Sequence, residues 1–309
     1  MGTIETVRGP VPAGELGLTL AHEHLHVLSD GVQLAFPRVY DRAAIVADGV
    51  RRVRDVEAHG AKAMIDLTVL GLGRDIHLVR EVAAQVDLHI VVATGAYFFD
   101  ALPPYFRARP TEHLAEQFVL DLTEGIAGTP VKAAILKCPT DEPGLTRDNE
   151  KLLRAVAMAH RETGAPISTH THAATHRGRD QVRVFREEGV DLTRTVIGHC
   201  GDTDDFDYLF ELADTGALLG MDRFGYDGML AKERRVDVIA QLCARGHASQ
   251  IVLSHDYCCH LDWSPNPLAH PSMTYLFTDV LPALRAVGLG EDVIEQFLVH
   301  NPRRLLAGA

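Results

Sequence analysis

The sequence lacks several features that would assign it to a class at once. It contains no apolar run near the roughly 20 residues that a membrane-spanning helix needs. Residues 1–6 have neither the basic nor the apolar part of a signal peptide. Basic residues are also in deficit, since 30 Lys and Arg stand against 42 Asp and Glu and give a formal net charge of −12. We therefore expect neither nucleic acid nor a membrane as a partner.

Cysteine is scarce as well. The five cysteines are odd in number and show no spacing typical of a disulfide framework or a zinc finger. Reduced thiols in a cytoplasmic protein are therefore the expectation.

The amino-acid composition suits a large globular core, because 46% of the 309 residues are hydrophobic and 23% are charged. Eight short apolar segments alternate with amphipathic helical stretches. The predicted strands are residues 17–22, 63–68, 90–95, 133–137, 166–170, 195–199, 217–221 and 251–256. The predicted helices include residues 43–58, 112–126, 148–163, 236–245, 273–285 and 291–300.

This alternation predicts an α/β fold, a single (β/α)8 TIM barrel that forms one domain over residues 1–309. A doubly wound open sheet is the structural alternative. It explains less well why ligand-type residues end strands along the whole chain, because the strand ends of an open sheet lie in a row.

The pattern His22-Glu23-His24 directly follows the first apolar segment. Residues i and i+2 of a strand point to the same side, so two imidazoles at this spacing can bind one metal ion. Glu23 points the other way. Alone the pattern is a weak signal in a chain with 17 histidines.

Four further ligand-type residues end later strands. Lys137 ends the fourth predicted strand, His170 the fifth, His199 the sixth and Asp256 the eighth. Barrel enzymes place their active sites at these strand ends. Imidazoles with a carboxylate suit zinc, iron, cobalt or manganese rather than calcium or magnesium. Six ligand-type residues suit two divalent ions that share a hydroxide better than they suit one ion.

Two other interpretations use the same residues. Lys137 could form a Schiff base, as in barrel lyases, although such an enzyme would not need four histidines beside it. The set could also belong to a catalytically silent metal-binding scaffold. Loss of a ligand would be the expected sign of such a scaffold, and no ligand is missing.

The order of these residues resembles the amidohydrolase superfamily and, within it, the phosphotriesterase branch. The motifs that carry the resemblance are Leu20-Ala21-His22-Glu23-His24, Ile135-Leu136-Lys137, Ser168-Thr169-His170-Thr171-His172, Ile197-Gly198-His199-Cys200-Gly201-Asp202 and Leu253-Ser254-His255-Asp256. Further stretches are similar to pocket positions of the phosphotriesterase-like lactonases: Gly95-Ala96-Tyr97, Gly220-Met221-Asp222-Arg223-Phe224-Gly225, Cys258 and Trp263.

The resemblance implies a role for each residue at a binuclear centre. A buried ion would be bound by His22, His24 and Asp256. A more exposed ion would be bound by His170 and His199. Lys137 would bridge the two ions after carboxylation by carbon dioxide. Burial favours the last step independently, because desolvation disfavours the ammonium form of a lysine.

The resemblance also implies a hydrolase in which Asp256 transfers a proton and Tyr97 donates a hydrogen bond to the developing charge. Arg223 would orient the substrate, unless a neighbouring carboxylate such as Asp222 tethers it instead. Cys258, Trp263 and the loop at 257–271 would shape the pocket for the apolar part of the substrate.

The implied substrates are lactones, including the N-acyl homoserine lactones cleaved in quorum quenching, with weaker phosphotriesterase activity. A primary organophosphate phosphotriesterase and another carboxylic-ester hydrolase remain alternatives. Residues 226–235 and the loop at 257–271 look short for the subfamily, which favours short substrate tails. A homodimer is the family expectation.

Overall fold

Each of the eight predicted strand segments contains a strand, and all neighbouring strands of the large sheet run parallel. The computed structural model describes residues 2–263 and 272–308. The strands of the large sheet are β1 (Thr19–His24), β2 (Ala63–Asp66), β3 (His89–Gly95), β4 (Ile135–Thr140), β5 (Ile167–Thr171), β6 (Thr195–Ile197), β7 (Leu218–Met221), β8 (Ile251–Leu253) and β9 (Tyr257–Cys258).

The chain closes this sheet between β8 and β9. β8 pairs with β7, whereas β9 pairs with β1. Between them, the amide of Ser254 donates to the carbonyl of Met221 at 3.3 Å and the amide of Asp256 donates to the carbonyl of His22 at 3.0 Å. The segment thus joins the first strand to the last, and the predicted (β/α)8 barrel is confirmed. The open-sheet alternative is wrong, because it would leave these two strands apart as edges.

Helices cover the outside of the barrel and overlap every predicted helical stretch. The connecting helices are α1 (Arg42–Glu57), α2 (Ile76–Ala83), α3 (Thr111–Thr123), α4 (Arg147–Thr163), α5 (Arg177–Glu187), α6 (Phe206–Ala213) and α7 (Lys232–Ala244). The final helical segments are Leu276–Val280, Leu281–Ala286, Glu291–Glu295, Gln296–His300 and Asn301–Ala307. The loops contain short helices at Val32–Ala35 and Pro104–Arg107, and 3₁₀ turns at Ala13–Glu15, Pro37–Val39, Ile126–Gly128, Ala173–Thr175, Leu192–Arg194, Cys200–Asp202 and His247–Gln250.

Local sequence explains where α4 begins and ends. The side chain of Thr146 accepts a hydrogen bond from the amide of Asn149, which satisfies one of the free donors of the first turn. Asp148 and Glu150 add negative charge near the positive end of the helix dipole. Gly164 ends the helix with φ 71°, a left-handed conformation that costs glycine little.

Hydrophobic residues fill the barrel and the layer between sheet and helices. The interior cluster includes Ala63, Ile65, Val91, Ala93, Ile135, Val196, Leu218 and Val252. Ile4 belongs to a short hairpin of Thr3–Ile4 with Val11–Pro12 and joins this cluster, as do Leu16 and Leu305. Because Leu16 precedes β1, these residues close the end of the barrel where the strands begin. The opposite end is left for the site.

The five cysteines all lie in the described part of the chain and are free thiols, as expected. Within residues 2–263 and 272–308, no helix combines the length and apolar character needed to cross a bilayer.

Candidate metal centre

The carboxyl ends of the strands surround one cavity of about 270 Å³. Its wall includes every residue that the sequence predicts for the site: His22, His24, Tyr97, Lys137, His170, His199, Arg223, Asp256, Cys258 and Trp263. The wall also contains four residues that the prediction does not name: Val27, Leu72, Tyr226 and Leu261. The predicted residues therefore converge, as the barrel geometry requires. Their roles in metal binding and catalysis stay predictions.

A bulge in β1 aims both histidines of the His-x-His pattern into this cavity. The register of β1 against β2 shifts by one residue ahead of Glu23. Ala21 packs in the barrel interior, so strict alternation would turn His22 outward. The extra residue reverses the order, as bulges near active sites often do. His22 and His24 consequently line the cavity, and Glu23 does not.

Glu23 instead holds the turn that carries Asp256. Its Oε1 accepts hydrogen bonds from Ser254 Oγ at 2.7 Å and from His255 Nδ1 at 2.7 Å, and its Oε2 accepts one from the amide of Tyr257 at 2.8 Å. All four side chains are buried. Glu23 Oε1 also accepts a hydrogen bond from the amide of His255 at 3.1 Å. A buried carboxylate with four donors fixes residues on both sides of Asp256 relative to β1.

Two predicted ligands lie just beyond the ends of their strands. The predicted strands 195–199 and 251–256 end earlier, at Ile197 and Leu253. The reason is that His199 and Asp256 have left-handed backbones with φ 60° and φ 55°. This conformation costs a non-glycine residue about 1–2 kcal/mol. Residues that keep it are concentrated at functional sites.

Two imidazole nitrogens face each other on one side of the cavity. His199 Nδ1 lies 2.9 Å from Asp222 Oδ1, and His170 Nε2 lies 2.6 Å from Asp141 Oδ2. These carboxylates place the ring protons on those two nitrogens. His199 Nε2 and His170 Nδ1, which are 2.8 Å apart, therefore both carry lone pairs. The Tyr97 hydroxyl donates to the same His170 Nδ1 at 3.2 Å.

A second group of acceptors converges on the opposite side. His22 Nδ1 donates to Asp222 Oδ2 at 2.9 Å. His24 Nδ1 donates to Thr68 Oγ1 at 2.9 Å, and the Thr68 proton goes to a backbone carbonyl. Both Nε2 atoms therefore carry lone pairs, and they lie 3.4 and 3.2 Å from Asp256 Oδ1.

Charge and burial keep these groups in the form that binds metal. Burial lowers the pKa of His22 and of His199, and it lowers that of His170 to about 4. Burial alone would raise the pKa of Asp256, but the neighbouring histidines and Arg223 hold it well below its usual range. Neutral imidazoles and an ionised carboxylate result, as coordination requires.

The donor set fits a pair of cations. Lone pairs that face each other at hydrogen-bonding distance repel unless a proton or a cation lies between them. Ligand atoms of His22, His199 and Asp256 all lie within 4.8 Å of one another. The second pair, His170 with His199, supplies another set of nitrogen donors. Nitrogen and carboxylate donors suit zinc and its transition-metal neighbours.

Lys137 lies on β4 between the two groups of acceptors. Its Nζ is 3.1 Å from His22 Nε2 and 3.3 Å from the carbonyl of Thr169. The side chain is 1% exposed. Burial lowers the pKa of Lys137 to about 8, which increases the fraction of neutral amine.

Arg223 is held by two carboxylates, and Asp222 is not one of them. Its Nε donates to Asp256 Oδ2 at 2.9 Å and its Nη1 to Asp202 Oδ2 at 3.1 Å. Asp202 Oδ1 also pairs with the buried Arg235 at 2.8 Å. Carboxylates therefore do tether Arg223, but Asp222, the predicted example, is not among them, because both oxygens of that residue bind histidines.

The predicted substrate-binding residues form the outer part of the cavity. The rings of Tyr97 and Trp263 lie 6.5 Å apart, and Trp263 is 46% exposed at the mouth. Cys258 is partly buried and follows the turn on β9. Of the predicted pocket loop at 257–271, residues 264–271 lie outside the described part of the chain.

The chain matches the model of the phosphotriesterase family over residues 2–306. It belongs to that family. A phosphotriesterase homology protein of Mycobacterium tuberculosis is 47% identical, with 99% of this chain and 98% of the relative covered. An aryldialkylphosphatase of Saccharolobus solfataricus is 38% identical, with coverages of 96% and 97%. The solved structure of the phosphotriesterase from Mycobacterium tuberculosis matches with a TM-score of 0.95, at 47% identity and 98% coverage of each chain.

Membership of the phosphotriesterase family, together with these relatives, indicates a hydrolase. The family is generally metal-dependent, which agrees with a His and Asp cluster that could hold a metal ion. The resemblance inferred from the motifs is thereby confirmed at the level of the family.

The residues that hold the proposed ligands from behind could not all be recognised in the sequence, where Asp222 was considered only as a motif residue and a possible tether of Arg223. Asp222 follows Leu218 and Gly220 on the inward side of β7, so strand alternation could have identified it. Asp141 and Thr68 lie in loops after strands and leave no periodic signal. Tyr226, whose hydroxyl donates to the backbone oxygen of Asp256 at 3.0 Å, also lies in a loop.

Proposed function

We propose that this member of the phosphotriesterase family is a two-ion metal hydrolase that opens small lactones. We include γ- and δ-lactones and N-acyl homoserine lactones with short tails, and we propose slower hydrolysis of phosphotriesters. The observation that carries the proposal is the convergence of lone pairs in two groups. One ion would be held by His22, His24 and Asp256, the other by His170 and His199, and both would share Lys137.

When bound, the two ions would make hydroxide available at neutral pH and polarise the substrate oxygen. Tyr97 would supply a hydrogen bond beside them. Burial raises the pKa of Tyr97 well above its usual range, so the phenol remains a donor. Its hydroxyl lies at the His170 side of the cavity, where it could donate to the oxygen on which charge develops.

Asp256 would carry the proton between attack and departure. Arg223 holds Asp256 Oδ2 at 2.9 Å and so fixes the orientation of the carboxylate, whose Oδ1 faces the histidines. In this role the carboxylate accepts the proton released on attack and passes it to the departing alkoxide. A lactone needs this step, because an alkoxide is a poor leaving group.

Lys137 would become a shared anionic ligand. Its neutral amine nitrogen would attack the carbon of carbon dioxide, so that a C–N bond forms while one C=O π bond breaks and its electron pair moves to oxygen. The nitrogen would then lose one proton to water, which leaves a carbamate anion. The burial that lowers the pKa of Lys137 to about 8 favours the neutral amine that this step needs.

Cavity size favours compact substrates. The volume of the cavity is about 270 Å³. Val27, Leu72, Leu261 and Trp263 provide an apolar side among the described wall residues. A five- or six-membered ring with a short tail fits this space, whereas a long acyl chain would extend beyond the described wall of the cavity.

Phosphotriester hydrolysis is the second candidate, favoured by similarity to the aryldialkylphosphatase. A phosphoryl oxygen can be polarised in the same position as a carbonyl oxygen, so one centre can act on both classes.

The test is a substrate panel on protein of known metal content. We expect close to two transition-metal ions per chain and higher kcat/KM for γ- and δ-lactones than for aryl dialkyl phosphates. Higher kcat/KM for the phosphates would favour the second candidate. Full activity with one ion or none would contradict the two-ion proposal.

A further inference from the structure

Asp222 contacts ligands from both proposed ion sites. Its Oδ2 accepts from His22 Nδ1 at 2.9 Å, and its Oδ1 accepts from His199 Nδ1 at 2.9 Å and from the His199 amide at 2.8 Å. The two imidazole rings are stacked, with centroids 5.1 Å apart, so one carboxylate can reach both. Asp222 is 1% exposed.

Geometry makes Asp222 the acceptor in all three contacts. The His199 amide can only donate, so Asp222 Oδ1 accepts, and Nδ1 of each histidine lies 2.9 Å from a carboxylate oxygen. A carboxylate accepts hydrogen bonds, and therefore both histidines present a protonated Nδ1 to it. Both Nε2 atoms are then left with lone pairs that face the cavity.

We propose that Asp222 is a positioning residue that sets the tautomers of His22 and His199, so that one carboxylate links a ligand of each proposed metal site. The inference rests on the proposed two-ion centre and adds a residue to it. Partners of this kind usually serve one metal-ligating histidine. Here a single carboxylate serves two histidines, each assigned to a different ion.

Gly198 and Gly220 lie close to the Asp222 carboxylate, and their lack of a side chain leaves room for it. A Cβ atom added at Gly220 would lie 2.5 Å from Asp222 Oδ2, the oxygen that holds His22. A Cβ added at Gly198 would lie 3.5 Å from the same oxygen and 2.0 Å from a backbone carbonyl. The first position therefore offers a way to move one oxygen of Asp222 without removing its charge.

The two oxygens of Asp222 differ in what they hold, and this makes Asp222→Asn a selective variant. Oδ1 receives two donors from His199, whereas Oδ2 receives one donor from His22. The amide oxygen should therefore keep the His199 side. The amide nitrogen, which can only donate, then faces His22 Nδ1 and moves the His22 proton to Nε2. The lone pair of His22 would no longer face the cavity.

The first measurement is histidine ring ¹⁵N–¹H correlation on the metal-free protein, with the His22 signals assigned by their loss in His22→Gln. In Asp222→Asn we expect His22 to change from the Nδ1–H to the Nε2–H pattern while His199 keeps its pattern. Asp141→Asn is the matched control, because His170 is the proposed ligand that Asp141 holds, and its other oxygen accepts from the amide of Glu142. It should leave both His22 and His199 unchanged.

The second measurement is metal content after dialysis against graded chelator. The wild type should hold two ions, whereas Asp222→Asn should hold one firmly and the other about 10- to 100-fold more weakly, the usual effect of losing such a partner. Gly220→Ala should weaken one ion in the same way although it keeps the charge.

Several outcomes separate the inference from the proposed function. A wild type that holds one ion or none overturns the two-ion centre itself. A wild type with two ions, together with an Asp222→Asn variant that keeps both ions at unchanged affinity, overturns the positioning role alone. Equal weakening of both ions without a tautomer change in either histidine would also overturn it, because that is the effect of a merely structural residue. If Gly220→Ala does not fold, Asp222→Asn decides the matter, since it changes no volume.

Discussion

Replacing Asp256 by Asn tests the proton-transfer role of this residue apart from its other roles. The backbone at Asp256 has φ 55°, and Asn adopts this region about as readily as Asp. The amide oxygen can still face His22 and His24, which lie 3.4 and 3.2 Å from Oδ1. The variant loses one negative charge and the capacity to accept a proton. Its fold and most of its metal should remain.

The expected loss differs between substrates. Positioned acid–base groups contribute roughly 10²–10⁴ in rate, which corresponds to about 2.7–5.4 kcal/mol of transition-state stabilisation. We expect a loss of this size in kcat/KM for aliphatic lactones. For aryl phosphotriesters the loss should stay below about tenfold, because an aryl oxide leaves without a proton. A further cost in stability of ~1–3 kcal/mol is expected, since an amide N–H would face Arg223 Nε, which now donates to Asp256 at 2.9 Å.

The assay measures kcat/KM for one lactone and one aryl phosphotriester, metal content and denaturant unfolding. Asp202→Asn is the matched control, because Asp202 also pairs with Arg223 but does not line the cavity. Asp202→Asn should change kcat/KM for the lactone and for the phosphotriester by a similar factor. Equal losses on both substrates in Asp256→Asn, with metal retained, would show that Asp256 is only a ligand and refute the proposed proton transfer.

Three further predictions concern metal and pocket. Lys137→Ala should lose at least one ion and most activity, and acetate should partly restore the activity. If borohydride traps a carbonyl substrate on Lys137 of the wild type, a Schiff-base lyase is supported instead. Chelation should abolish hydrolysis and lower the midpoint of thermal unfolding, since a ligand present at 1,000 times its Kd stabilises the folded protein by about 4 kcal/mol. An unchanged midpoint together with full activity would contradict the proposed metal site. Trp263→Ala should change the ratios of kcat/KM between lactones of different tail length, by at most ~0.8 kcal/mol for each methylene of the tail. The control is Val287→Ala at an exposed position, which should leave these ratios unchanged. A common factor for all tails would show that Trp263 does not contact them.

Local pattern was sufficient to predict the barrel and the proposed ligands. Each of the residues Lys137, His170, His199 and Asp256 comes at or just beyond the end of an apolar segment, and the barrel brings such ends together. His24 was predicted from its spacing to His22. The predicted side of the strand is correct, but the spacing alone does not explain it. The bulge ahead of Glu23 is also needed.

What could not be predicted depends on contacts between distant parts of the chain. The left-handed backbones of His199 and Asp256 shorten two strands, and the surrounding structure imposes them rather than residue type. The partners of Arg223 lie 21 and 33 residues away in sequence, so the adjacent Asp222 was a reasonable but wrong choice. Hydrogen bonds that join β1 to Asp222 span 200 residues and leave no periodic trace.

The bond between Glu23 and the amide of Tyr257 joins residues that are 234 positions apart. At the usual 5–20 residues per second, a ribosome needs roughly 10–50 s to make the chain between them. Throughout that interval His22 and His24 already exist, but the turn that carries Asp256 does not. A complete centre can therefore form only after nearly the whole polypeptide has emerged. The intact site is consequently a late product of folding, although its first two histidines are made early.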